Sequence, residues 1–123
     1  MQWQHGRQPF KPNFERYNAY DEGGWLVVFT VRDIGRLVGY GMMYVTPSMH
    51  TQKLIATEDA MFLLPEYRRG RNGLRLYQYV EREMARRGVV ELTVTAKPNT
   101  GAARILEHLG CTLVNYQYAK HLK

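Results

Sequence analysis

Pro65-Glu66-Tyr67-Arg68-Arg69-Gly70-Arg71-Asn72-Gly73-Leu74 is the stretch that decides the fold. It follows an apolar run, Ala60-Met61-Phe62-Leu63-Leu64, that reads as the end of a strand. It opens an amphipathic stretch over residues 73–87 that reads as a helix. A glycine-bearing turn between a strand and a helix N-terminus presents several backbone N–H groups to one point. The helix dipole adds partial positive charge there. Arg68, Arg69 and Arg71 add full charges and forked donors that match phosphate oxygens. Loop arginines are often only solvated surface. Here strand, glycines, arginines and helix coincide, and the turn is suited to a phosphate or pyrophosphate.

Upstream of this turn lie three β-rich segments. Residues 25–32 and 37–46 flank the turn Asp33-Ile34-Gly35 and read as a hairpin. A loop at 47–52 leads to a third strand at 54–64. Gly39-Tyr40-Gly41 sits inside the second strand and reads as a close-packing or bulge site. Downstream, Leu74, Tyr77, Val80 and Met84 form the apolar stripe of the helix, and Gly88 suits its C-terminal cap. Val90, Leu92 and Val94 alternate in a strand at 89–96. Asn99 suits the N-cap of a second helix whose Ala102, Ile105, Leu106 and Leu109 face a core, with Gly110 ending it. A last strand is expected at 112–119. The class is α+β, a mixed sheet in the order β-β-β-α-β-α-β. Residues 1–24 show no clear periodicity and read as an irregular N-terminal arm, with one short helix near Phe14-Glu15-Arg16-Tyr17. Residues 25–123 form a single domain.

With 123 residues the chain can bury one ordinary core. A hydrophobic content of 45% and a charged content of 23% are those of a soluble globular protein. No apolar run approaches bilayer-spanning length, and Met1-Gln2-Trp3-Gln4-His5-Gly6-Arg7 has no apolar leader, so no membrane association is expected. One cysteine, Cys111, excludes an internal disulfide and points to a reducing, cytoplasmic setting. It reads as a small buried apolar residue. The net charge of +6 favours anionic partners, nucleic acid among them. Twelve arginines stand against five lysines, concentrated at 68–75 and at Arg82, Arg86 and Arg87.

Other chemistries fit poorly. Ser48 is the sole serine and is wedged between Pro47 and Met49, which disfavours a serine triad. His5, His50, His108 and His121 are scattered, with no cysteine or carboxylate at ligand spacing, so no metal site is expected. No Gly-x-x-x-x-Gly-Lys-Ser/Thr occurs.

The element order and two motifs resemble the GNAT superfamily of N-acetyltransferases. That family's cofactor loop reads Gln/Arg-x-x-Gly-x-Gly/Ala after a strand ending in Pro-Glu-Tyr. Pro65-Glu66-Tyr67-Arg68 and Gly73 match it, while the first family glycine falls on Arg71 and a glycine stands one place earlier, at Gly70. In the second motif Asn99, Ala102, Ile105, Leu106 and Gly110 match, with Cys111 where the family has an aromatic. The resemblance spans about residues 25–120, and within the family the chain looks most like small acetyltransferases of tailed phages, which would place it in the host cytoplasm.

The resemblance implies acetyl-coenzyme A (hence coenzyme A binding) as cofactor. Its pyrophosphate would sit on backbone N–H groups of Arg69, Gly70, Arg71, Asn72, Gly73 and Leu74, beside Arg68. Its pantetheine arm would pair with main chain at Leu63 and Leu64. Asn99 would approach the pantetheine or the sulfur, and the Leu63 N–H, at a strand irregularity, would serve the oxyanion.

Transfer to an amine needs a base, donors for the developing oxyanion and an acid for the leaving thiolate. Glu58 and Asp59 are the only carboxylates on the cofactor-side strand, and alternation points them to opposite faces. Glu58 ranks first as base and Asp59 second, against the alternative that both are surface charges. The family's thiolate acid is often a tyrosine on the second helix; that position is Leu106, so the acid is missing or moved, with Tyr116 and Tyr118 as candidate substitutes against the more common case that such tyrosines simply pack or cap the sheet.

Only 24 residues precede the first hairpin strand, fewer than the family's usual N-terminal elements need. The acceptor side is then completed by the arm (Trp3, Phe10, Phe14, Tyr17, Tyr20), by a second subunit in a homodimer, or not at all. The two functional expectations are an N-acetyltransferase acting on an amine of a protein or small molecule, and a basic binding module on the same scaffold that grips nucleic acid or a host protein without turnover.

Overall fold

The structure, a computed structural model, describes Glu15 and residues 22–122. The expected arm at 1–24 therefore lies almost wholly outside the described residues. Four strands, β1 (Leu26–Asp33), β2 (Arg36–Pro47), β3 (Leu54–Leu63) and β4 (Glu91–Thr93), form one sheet in the order β1-β2-β3-β4. The first three are antiparallel, and β4 joins β3 in parallel. A single 3₁₀ turn (Pro65–Tyr67) leads into α1 (Asn72–Arg86), and α2 (Gly101–His108) follows β4. Among the described residues no helix is long and apolar enough to cross a membrane.

The hairpin forms as the sequence predicts. Ile34 and Gly35 both adopt positive φ, 50° and 79°, as a type I′ turn requires. Isoleucine is an odd residue there, because a branched side chain crowds its own backbone in the left-handed region.

The core lies on the sheet face covered by α1. Val27, Phe29, Met43, Ala56, Met61 and Leu63 meet Leu76, Val80 and Met84 of the helix. Leu76, rather than Leu74, supplies the fully buried first position of the helical stripe, and Tyr77 is half-buried beside it. Gly39 and Gly41 are close-packing sites. A Cβ on Gly39 would stand 2.6 Å from both Leu63 Cδ2 and the Phe62 carbonyl oxygen, and one on Gly41 would stand 2.7 Å from Met61 Sδ. Two glycines on β2 thus make the hollows that Leu63 and Met61 of β3 fill.

Three expectations are corrected. The strand foreseen at 89–96 is paired only over Glu91–Thr93, and Val90 is exposed while Leu92 and Val94 pack on the core. The strand foreseen at 112–119 is absent: residues 111–122 have no regular structure and are exposed. Its alternation is real, but a strand also needs a neighbouring ladder, and none is offered along this path. The α2 cap is Thr100, whose hydroxyl accepts from the Ala103 N–H at 3.2 Å; Asn99 instead takes a left-handed φ of 60° just before it.

Replacing Ile34 with asparagine, which tolerates positive φ, is expected to raise the unfolding free energy by about 1 kcal/mol. Gly39→Ala is expected to lower it by about 2 kcal/mol, because backbone as well as side chain must shift. Urea denaturation of the two variants measures both effects.

Candidate active site

The β3–β4 ladder consists of Ile55–Glu91, Ala56–Leu92 and Thr57–Thr93, and then stops. β3 runs on to Leu63, whereas the chain past Thr93 has no regular structure until α2. The two strands therefore part at Glu58, leaving the later edge of β3 without a strand on that side. The register against β2 also shifts here: Met43 lies opposite Glu58 and Met42 opposite Ala60, so Asp59 is the bulged residue. A bulge re-aims side chains next to functional sites. The irregularity foreseen at Leu63 lies at Asp59 instead, and Leu63 keeps regular register with Gly39.

Glu58 stands at the fork. It shares the core face with its partner Met43, and one carboxylate oxygen accepts the Thr95 hydroxyl at 3.0 Å across the gap. The other oxygen, Oε1, is buried and has no hydrogen-bond partner among the described residues. Burial raises the Glu58 pKa above the usual carboxylate range; hydrogen bonds from the Thr95 side chain and backbone oppose the shift, and the charge of Asp59 adds to it. Asp59 is exposed.

Tyr77 reaches the same region from α1. Burial pushes its phenol up to about 12, with smaller contributions from the neighbouring charges of Glu58 and Cys111. The stripe periodicity found its burial but not its polar neighbours, which come from distant parts of the chain. Leu106 is buried, as its place in the second motif implies. Tyr116 and Tyr118 are exposed on the irregular C-terminal segment. Cys111, expected to be buried, is a free exposed cysteine.

The arginine turn is held from several sides. The Tyr67 hydroxyl donates to Asp33 at 2.6 Å, the Arg68 Nε donates to the Leu63 carbonyl at 2.7 Å, and the Asn72 side chain donates to the Tyr67 carbonyl at 3.0 Å. The Arg68 guanidinium also lies 5.3 Å from the centre of the Phe62 ring. Leu64 has its N–H on Val38 and its carbonyl on the Tyr67 N–H, both at 2.8 Å. Alternation then turns the Leu63 main chain to the open edge, with its carbonyl already taken by Arg68. The α1 ladder begins with Arg75 N–H to the Arg71 carbonyl at 2.9 Å, and Arg71 makes no side-chain cap. The amides ahead of it are the donors that every helix start leaves without an internal partner. Gly70 has φ 63°, and a Cβ there would meet nothing within 4 Å. Gly73 is a contact: its Cβ would lie 3.0 Å from Ile105 Cδ1, so the first motif touches the second here. Asn99 is exposed in the turn before α2.

The chain matches the model described as Acetyltransferase (GNAT) family over residues 1–111, and it belongs to that family. Solved structures with the same fold include an aminoglycoside acetyltransferase from an uncultured soil metagenomic sample in complex with sisomicin, with a TM-score of 0.75 and 17% identity over 95% of this chain and 79% of that one. Another is glucosamine-6-phosphate N-acetyltransferase from Arabidopsis thaliana, with a TM-score of 0.73 and 10% identity over 89% and 76%. A third is ribosomal-protein-alanine N-acetyltransferase from Brucella melitensis biovar Abortus 2308, with a TM-score of 0.68 and 15% identity over 91% and 82%. Among curated proteins no sequence matches.

The raised Glu58 pKa makes a stability prediction. A carboxyl that holds its proton more tightly when folded stabilises the fold most below its unfolded pKa. That contribution is lost as pH rises through the folded value. Glu58→Gln cannot ionise, so it is expected to melt at a higher temperature than the wild type at pH 7, with the gain shrinking as pH falls towards 4.5. Thermal melts across that range check the sign.

Proposed function

We propose that this chain is an acetyl-coenzyme A-dependent N-acetyltransferase that transfers acetyl to an amine of a small molecule or protein by direct attack. The observation that carries the proposal is Glu58: a buried carboxylate oxygen without a partner, at the point where β3 and β4 separate. The residues fit the cofactor in two respects. Uncommitted amides at the start of α1, with Gly70 open and Arg71 uncapped, suit a pyrophosphate. The strand edge after Thr57 suits an extended chain, with Leu63 rather than Leu64 offering main chain on that side.

When bound, the cofactor supplies an activated acyl thioester. Arg69, Gly70, Arg71, Asn72, Gly73 and Leu74 would hold its phosphates, Arg68 fixes the strand end through Leu63, and Asn99 would meet the pantetheine arm. Glu58 Oε1 takes the proton released by the attacking amine as the N–C bond forms. Tyr77, kept protonated by its burial, would be the group able to supply a proton to the leaving thiolate.

The competing reading is a basic binding module for nucleic acid or a host protein. Glu83 bonds both Arg86 and Arg87, which lowers its own pKa to about 2 and partly neutralises the distal arginine cluster. The charge left at 68–75 serves an anionic cofactor equally well.

Coenzyme A and acetyl-coenzyme A at a hundred times their dissociation constants are expected to stabilise the chain by about 2.7 kcal/mol, read as a thermal shift. Arg71→Glu should weaken that shift. Glu58→Gln should keep it while lowering turnover by roughly a hundredfold or more. Turnover is assayed with an aminoglycoside, glucosamine-6-phosphate and an alanine-starting peptide as acceptors. No cofactor binding at millimolar concentration overturns the proposal.

A further inference from the structure

Between Thr93 and α2 the chain has no regular structure, yet its path is held on both sides of Thr95. Val94 packs on the core. The Lys97 carbonyl accepts the Thr100 hydroxyl at 2.7 Å, and that hydroxyl in turn accepts the Ala103 N–H at the head of α2. Had the parallel ladder continued past Thr57 and Thr93, its register would set Thr95 opposite Asp59. Instead the Thr95 hydroxyl donates to Glu58 Oε2 at 3.0 Å, where the strands part. Thr95 is exposed, so water could satisfy its hydroxyl. The group that gains from the bond is the carboxylate, whose other oxygen is buried without a partner among the described residues. The neighbours of Glu58 come from several elements. Asp59 adjoins it on β3, Met43 stands opposite on β2, and Tyr77 approaches from α1 as a neutral phenol that also feels Cys111. Burial and the charge of Asp59 disfavour the ionised carboxyl, and the Thr95 side chain and backbone favour it.

We infer that Thr95 is a positioning residue for Glu58: its hydroxyl pins Oε2, so that Oε1 is the oxygen left to take a proton. The kinetic side of this inference rests on the acetyl-transfer reading above; the hold itself rests on the geometry. The terminal torsion of a glutamate is broad and two-fold, so an untethered carboxyl presents either oxygen over a wide range of angles. One directional bond at Oε2 removes that freedom. A hydroxyl suits the task in both protonation states, because it donates to a carboxylate and can accept from a carboxylic acid. The bond is stronger to the ionised form, which keeps the carboxyl available as a base in spite of its burial. The β-branch of threonine restricts χ1 and so fixes the direction of the hydroxyl. The anchors at Val94 and Lys97 hold the backbone that carries it.

The test compares Thr95→Val, which keeps the shape and removes the hydroxyl, with Thr95→Ser, which keeps the hydroxyl. The position is exposed, so neither change reaches the core. With acetyl-coenzyme A and an acceptor that turns over, Thr95→Val is expected to lower kcat roughly tenfold or more and to leave the KM for acetyl-coenzyme A unchanged. The acid limb of its kcat/KM profile should move to higher pH, because the ionised form of Glu58 has lost a donor. Thr95→Ser should restore most of both. The hold is also read without turnover, by carbon NMR of the full chain with 13C-labelled glutamate carboxyls, Glu58→Gln identifying the resonance. Glu58 should titrate at higher pH in Thr95→Val than in the wild type or Thr95→Ser. An unmoved titration, an unmoved acid limb, or valine and serine variants equally impaired each overturns the inference. A wild type that acetylates no amine fails the acetyl-transfer reading, and the titration still decides whether Thr95 holds Glu58.

Discussion

Everything distinctive in this molecule follows from a parallel ladder that ends after three residue pairs. Had β3 and β4 stayed together, Glu58 would lie inside a continuous sheet and the main chain up to Leu63 would be sealed by its neighbour. Instead the bulge at Asp59 turns β3, the chain after Thr93 leaves the ladder, and Thr95 bonds Glu58 across the gap. The core tolerates this because its packing lies elsewhere. Leu63 and Met61 are seated in hollows above Gly39 and Gly41, so the far end of β3 is fixed from the β2 side and does not need β4.

That arrangement also explains how charge can be stored at the fork. A carboxylate deprived of water is costly unless bonded, and Glu58 is bonded at one oxygen only. The unmet oxygen is a standing demand for a proton or a donor. Tyr77 pushes the same balance further by presenting a neutral, buried phenol instead of a countercharge. Among the described residues no cluster of three or more His, Cys, Asp or Glu could hold a metal ion there.

Much of this was legible in the sequence. Hairpin, third strand, arginine turn and both helices fall within a residue or two of where hydrophobic period and glycine placement put them, because each is a local signal. Glu58 stands out in the sequence as one of only two carboxylates on that strand, but its burial beside Thr95 does not. What was not legible depends on partners distant in the chain. The period-2 pattern at Val114, Tyr116 and Tyr118 announces a strand but not whether an edge will receive it. Asn99 and Thr100 are both good capping residues, and only the backbone, left-handed at Asn99, decides between them. Tyr77 reads as one more position on an apolar stripe, since nothing local tells that Glu58 and Cys111 lie beside it. The bulge at Asp59 leaves no trace in residue type at all.

The Tyr67–Asp33 hydrogen bond has a mechanical side. It ties the arginine turn to the tip of the first hairpin, far away in sequence, and the Arg36–Glu66 ion pair at 3.7 Å spans the same gap. An anion that stiffens the turn consequently restrains that tip as well. The exposed corner around Ile34 becomes a remote gauge of occupancy, since its amides should exchange with solvent more slowly whenever the turn is filled.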